Sequence, residues 1–330
     1  MPITGHQRRI DVDALRSRYW LGGVAIRLRP TSLHDLARMV EPNLRWRNET
    51  TGVSSWTNKW RAYERGERAP RLALIDKVEA LRVNGTSGTG SKAEFSHVLW
   101  QILREPEPTP QTCKRWMQLL DRPIASGSLI LSGGETSRYA IPSLRPRHYE
   151  KLWYRPSLDT LALLTYVVQQ AHRFRYEALA HEAGQNLVTT LWQLSLRFDD
   201  RQMLPAFMAF FERWVLPLTK LNGVRVGIGR EIEKRAAVLR DAVRAFDQFR
   251  TRPSDNADID IRLRHILGGR WRSEHRLAYA SIRMSTPELV ATTEEREECR
   301  RSSNNQLISL YCDNGPAEIP RWIQEGWRPY

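Results

Sequence analysis

The sequence predicts a mainly α-helical protein, a small N-terminal helical domain followed by a larger C-terminal helical bundle. Three observations lead there. Apolar residues recur at spacings of three and four along most of the 330 residues. Alternating apolar and polar runs, the mark of half-buried strands, are scarce, and Ser128 to Leu131 is the one short candidate. The helical pattern is also interrupted by Asn84 to Lys92, NGTSGTGSK, a composition that suits a flexible linker. The expected domains are therefore 1–83 and 93–330, with 84–92 between them.

The elements follow in order. Leu33, Leu36, Ala37 and Val40 fall on one helix face, and Leu72, Ile75, Val78 and Leu81 on another. Phe95 to Leu103 and Pro110 to Leu120 read as short helices, the second with Thr109 as N-cap and Pro110 at its first position. Residues 123–156 are turn-rich. Ser157 can cap a helix from Leu158 to His181, which Gly184 separates from another over Gln185 to Phe198. Met203 to Leu221, Arg230 to Arg250, Ile261 to Leu267 and Pro287 to Arg301 complete the helical set, before a tail from Pro316 rich in Trp and Pro.

Composition limits function. Hydrophobic residues make up 41% and charged residues 27%, enough apolar surface for a real core. Three cysteines do not make a disulfide framework. Met1 to Arg9 lacks the apolar run of a secretory signal, and no apolar stretch reaches the ~18 residues of a membrane span. A cytoplasmic protein is expected. The net charge of +14 comes from 44 arginines and seven lysines against 37 acidic residues. Half of that excess lies in residues 1–82, which hold 16 Lys/Arg and nine Asp/Glu. Guanidinium suits phosphate by its planar fork, and a cationic surface gains from counterion release.

Tyr63-Glu64-Arg65-Gly66-Glu67-Arg68-Ala69-Pro70 resembles the close of the recognition helix in Cro/C1-type (XRE) helix-turn-helix domains. Gly66 would stop that helix with a positive φ, and Pro70 would open the next. Thr31 to Arg38, with Leu36 and Ala37 inward, is similar to the first helix of the pair, and Leu72 to Leu81 to the helix that completes the core. The resemblance covers about residues 28–82. The chain departs from the family between the two helices, where Glu41 to Thr51 replaces a tight turn. The resemblance implies a helix near residues 54–65 in the major groove. Ser54, Ser55, Thr57, Asn58 and Arg61 would meet base edges, and Lys59, Arg45 and Arg47 would meet phosphate. Trp56, Trp60 and Tyr63 can equally be core aromatics of a helical bundle.

Other patterns carry less. GTSGTGSK has Ser91 before Lys92, the reverse of a P-loop, and follows a helix. Gly223 to Gly229 reads as an inter-helix loop. Cys113, Cys299 and Cys312 lack metal-ligand spacing, and His181-Glu182 lacks the second His of a zinc motif. Arg173, Glu177 and His181 read as one solvated face, Asp258 and Asp260 as N-terminal acids of a helix, and Thr292 to Arg301 as an exposed charged face. Glu274-His275 offers a base without a nucleophile. Trp322 and Trp327 can pin the tail or stack on bases. No catalytic set and no cofactor or metal site emerges, so the expectation is a non-enzymatic DNA-binding regulator of bacterial type. Its expected partners are double-stranded DNA and a second copy or protein partner, without a membrane. The alternative is a basic nucleoprotein component, of a mobile element or an anti-phage defence system, holding DNA or RNA without strong sequence preference.

Overall fold

In the protein's computed structural model the longest helix among the described residues is α1 (Gly5–Leu28). Described are residues 5–42, 46–47, 54–55, 59–83, 86–120, 155–222 and 224–229, Tyr149 and Leu152, a few positions between 232 and 240, and 288–289. The expected mainly α fold is what these residues form. Helices α2 (Leu33–Val40), α3 (Lys59–Arg65), α4 (Leu72–Glu79), α5 (Ser91–Ser96), α6 (Val98–Arg104) and α7 (Pro110–Leu119) follow α1. Then come α8 (Leu158–Arg173), α9 (Glu177–Gln193), α10 (Ser195–Asp200), α11 (Leu204–Trp214) and a 3₁₀ turn at Leu216–Thr219. Among the described residues, strands occur as three antiparallel pairs of two residues each: β1 (Trp46–Arg47) with β2 (Ser54–Ser55), β3 (Arg82–Val83) with β4 (Thr86–Ser87), and β5 (Val224–Arg225) with β6 (Glu288–Leu289).

The chain divides into two units, Met1–Glu105 with Arg197–Phe207, and Pro106–Leu196 with Met208–Tyr330. The boundary expected at 84–92 is therefore displaced. Those residues lie inside the first unit, because the Gly/Ser/Thr stretch has a specific partner. The Glu79 carboxylate accepts the Gly90 and Lys92 backbone N–H groups at 3.0 and 2.9 Å, and the Ser91 and Thr89 hydroxyls at 3.2 Å each. Small residues can wrap a carboxylate closely, as they can connect loosely. The same composition served the tighter use here.

In the first unit α1 carries two aromatic faces. Trp20 stacks on Trp60 of α3 at 6.2 Å and 18°, with Tyr63 and Phe95 edge-on, in a core shared with Leu36, Ile75 and Val78. Tyr19 meets Trp100 at 5.5 Å and Phe207 at 6.0 Å, and Phe198 stacks on Phe207 at 4.0 Å. Arginines of α1 then satisfy carbonyls at the ends of α5 and α6, where four C=O groups lack intrahelical partners. Arg8 Nε donates to Leu103 O, and Arg16 Nε to Phe95 O, both at 2.6 Å. Burial pushes the Arg8 guanidinium down to about 10. The single helix expected over Phe95 to Leu103 is two, broken at His97, whose Nδ1 accepts the Leu99 N–H at 3.1 Å.

In the second unit α7 starts as its sequence requires, with Thr109 Oγ1 accepting the Thr112 N–H and Pro110 at the first position. α8 also starts as expected, capped by Ser157. It ends at Arg173, not His181. Arg175 takes φ 61° and the Tyr176 N–H returns to Ala171 O at 2.8 Å, a Schellman closure that turns the chain into α9. That turn takes Arg173 off the expected Arg173/Glu177/His181 face, while Glu177 and His181 stay at i, i+4 in α9. Arg173 donates instead to Pro108 O at 3.0 Å, and His181 Nδ1 lies 3.0 Å from Thr219 O. Gly184 sits inside α9. A Cβ there would come within 2.5 Å of Thr219 Cγ2, so glycine serves a close helix contact, not a break. The helix expected over Met203 to Leu221 is split into α11 and the 3₁₀ turn. Gly223 to Gly229 contains β5, whose partner is Glu288–Leu289, so the helix expected from Pro287 does not begin there. Ser128 to Leu131, Asp258 and Asp260, the helix over 261–267, Glu274-His275, residues 292–301 and the Trp322/Trp327 tail lie outside the described residues, as does most of 230–250.

Candidate nucleic-acid interface

The candidate interface is built on α2, α3 and α4. Ser32 caps α2 by accepting the Asp35 N–H at 3.1 Å, and Asp35 reaches back to the Thr31 N–H at 3.2 Å. This reciprocal pair satisfies two N–H groups at the start of the helix. The bond from the Thr31 N–H, with smaller help from its hydroxyl and Arg38, holds the Asp35 carboxyl below its ordinary value. Leu36 and Ala37 face inward as their spacing predicts.

α3 is fixed from one side. Trp60 and Tyr63 are buried and meet edge to face at 5.9 Å, so these two aromatics are core residues, while Trp56 lies outside the described residues. Arg61, Glu64 and Arg65 are exposed on the same helix. Gly66 ends it with φ 73°. The Gly66 N–H returns to Tyr63 O at 3.0 Å and the Glu67 N–H to Ala62 O at 2.8 Å. A Cβ on Gly66 would also stand 2.8 Å from the Ala14 Cβ, which adds a packing reason to the conformational one. Pro70 does not open α4 as expected. The helix begins two residues later, with extended Arg71 at its N-cap.

A helix was expected near residues 54–65, but it begins at Lys59. Ser54 and Ser55 lie on β2, with Ser55 opposite Trp46 and Ser54 opposite Arg47. Serine and threonine compete with helical hydrogen bonds through their own hydroxyls, and threonine is further restricted at χ1, so Ser54, Ser55 and Thr57 extend a helix poorly. Closing the long connection from α2 as a strand pair uses the same backbone groups. Of the expected base-reading residues, Ser54 and Ser55 are thus in a strand and Arg61 is on α3. Thr57 and Asn58 lie outside the described residues, as does Arg45, expected at phosphate. Arg47 is on β1. Lys59, also expected at phosphate, forms an ion pair with Glu41 at 2.5 Å, and Glu41 is 7% exposed. Glu41 is the C-cap of α2 and Lys59 the first residue of α3. Their bond therefore clamps the base of the connection carrying β1 and β2.

Five cations, Lys59, Arg61, Arg65, Arg68 and Arg71, stand against Glu64 and Glu67 over residues 59–71. All but Lys59 are exposed. Arg65 pairs with Glu67 at 2.6 Å, while both side chains stay more than half exposed. Among the described residues no His, Cys, Asp and Glu cluster could hold a metal ion, and no helix is long and apolar enough to cross a membrane.

Sequence reasoning missed α1, although Val12, Leu15 and Tyr19 have helical spacing. It also missed a clasp in the first unit. Glu94 accepts Arg201 Nη2 at 2.7 Å and bonds Arg27, while Arg201 Nη1 donates to Tyr19 O at 2.9 Å. Nothing local could reveal an ion pair between residues 107 apart. No protein-family model, curated protein or solved structure matches the chain.

Proposed function

We propose that this protein binds double-stranded DNA through its N-terminal unit, as a regulator without catalytic chemistry of its own. The reading rests mainly on the exposed cations Arg61, Arg65, Arg68 and Arg71, carried on α3 and the turn after it and held outward by the buried Trp60 and Tyr63. Guanidinium groups on a rigid element meet phosphates in a fixed register, which supplies affinity and orientation. The likeness of Tyr63 to Pro70 to the Cro/C1-type run supports duplex DNA over other polyanions.

One observation favours a second reading, that of a nucleoprotein component gripping the backbone of DNA or RNA. α3 spans seven residues, and the positions expected to meet base edges precede it. A short helix with a cationic outer face suits phosphate better than a row of base edges. Random-duplex selection with the full chain, followed by competition against single-stranded DNA and RNA, separates the two. A regulator enriches one motif and prefers it about 10³-fold or more over random duplex. A nucleoprotein component enriches none and loses all targets together as salt rises. Failure to bind duplex at low salt overturns the first reading, and failure to bind duplex, single-stranded DNA and RNA alike overturns both.

A further inference from the structure

In the second unit the turn between α8 and α9 reads His172-Arg173-Phe174-Arg175-Tyr176. Its backbone is closed, with the Arg175 N–H donating to His172 O at 3.0 Å and the Tyr176 N–H to Ala171 O at 2.8 Å. Most described aromatic side chains are buried, but Tyr176 on this turn is 58% exposed. Phe174 is partly buried, and the Arg173 guanidinium lies 5.5 Å from its ring centroid. A ring left in water on a fixed turn is a flat apolar surface ready for a partner.

A second observation concerns Arg175. It takes φ 61°, at the position after a helix where glycine is the usual residue. Glycine would close the same turn without strain, so an arginine there points to a use for the side chain. Among the described residues Arg175 has no ion-pair partner, and neither have Lys114 and Arg115 of α7. The start of α7 lies at the same end of the unit, since Arg173 donates to Pro108 O at 3.0 Å. The exposed stripe of α7, Gln111, Lys114, Arg115 and Gln118, contains no acid. Glu107, beside Pro108, and Glu177, after Tyr176, are exposed carboxylates at this end. Against them stand four cations, Lys114, Arg115, Arg173 and Arg175; the partner of Arg173 is a neutral carbonyl, so its charge is not cancelled.

We propose that this end of the second unit binds single-stranded nucleic acid, with a base stacked on Tyr176, the adjoining phosphate on Arg175, and the strand continuing along α7 to Lys114 and Arg115. Single-strand sites combine these two parts, an aromatic platform for a base and cations that follow the backbone. The exposed ring favours a single strand over a duplex, whose bases already stack on one another and offer no free face. It also favours nucleic acid over an acidic peptide, which would use the cations and leave the ring in water. Because the turn is already closed, little ordering of the protein opposes binding.

The probes are labelled dT12, U12, an abasic 12-mer of the same charge and a random duplex, each titrated with the full chain by fluorescence anisotropy at low salt. U12 should match dT12 within about threefold, because stacking and phosphate contacts ignore the 2′-hydroxyl. Tyr176→Ala should weaken dT12 about tenfold and leave the duplex and the abasic strand unchanged, while Tyr176→Phe keeps the wild-type affinity. The comparison with duplex makes this outcome independent of the cations on α3. Arg175→Gly should raise the melting temperature by removing the left-handed strain, yet weaken dT12 and reduce its salt slope by about 0.7, one phosphate contact. Lys114→Gln/Arg115→Gln should reduce that slope by about twice as much. If dT12 does not bind, if the abasic strand binds as tightly, or if Tyr176→Ala leaves dT12 unchanged, the assignment is wrong. A strong preference for one sugar, or unchanged slopes in the folded arginine and lysine variants, would overturn it too.

Discussion

Arg201 reaches Glu94 at 2.7 Å and lies 3.8 Å over the Tyr19 ring, so one side chain joins two segments of the first unit by ion pair, hydrogen bond and cation–π contact. Burial alone would raise the Glu94 carboxyl. The hydrogen bonds from Arg201 and Arg27 outweigh it and hold the group below its ordinary value. A carboxyl depressed by folding contributes stability that is present above its unfolded pKa and lost as pH falls through the folded one. Stability of the wild type should therefore fall on acidification below the ordinary glutamate range, and Glu94→Gln should flatten that fall. Urea melts at pH 7 and pH 3 measure both slopes; equal slopes for the two proteins would contradict the clasp. Arg201→Met should cost about 2 kcal/mol at pH 7, from charged hydrogen bonds lost at a site 11% exposed. Gly66→Ala should cost about 1 to 2 kcal/mol for its left-handed backbone alone, and more for the Ala14 contact. Chemical denaturation of that variant checks it directly.

At the scale of elements, some were legible because their ends are chemically marked. α2 has Ser32 and Asp35 at its start, α7 has Thr109 and Pro110, α8 has Ser157, and in each the cap bonds as its residue type predicts. α1 was hidden because arginines alternate with its apolar positions. Arg8 and Arg16 are themselves used in packing, so a polar letter marked a buried or half-buried position. The start of α3 was hidden for the opposite reason. Its likeness to a known helix ran on into Ser54 and Ser55, whose own chemistry favours the strand they form. Gly184 shows the same limit, because its role depends on Thr219, far along the chain. The Lys59–Glu41 bond predicts coupling between α2 and α3. Glu41→Gln should destabilise the first unit by about 1 to 3 kcal/mol by leaving the Lys59 ammonium without its carboxylate. Hydrogen exchange should then rise first at the ends of α2 and α3. Protection unchanged there would mean the ion pair does not hold the connection.

For the whole molecule, the charge excess separates into uses. Arg8, Arg16, Arg27 and Arg104 bond carbonyls or carboxylates within the first unit, so part of its basic character serves folding. Arg61, Arg65, Arg68 and Arg71 remain exposed for a partner. The expected domain 1–83 omits Phe95, Trp100 and the returning segment 197–207, all part of the first unit. A fragment 1–83 should therefore lack a cooperative thermal transition, while the full chain shows one. A sharp transition for that fragment would contradict the discontinuous unit. Whether the exposed cations on and after α3 hold duplex DNA is read from the salt dependence of binding. The full chain should bind a random duplex at low salt, with log K falling steeply against log salt. The triple variant Arg61→Ala/Arg68→Ala/Arg71→Ala should reduce that slope by roughly three phosphate contacts, about 0.9 each. Absence of duplex binding at low salt, or an unchanged slope in a folded triple variant, would contradict the account.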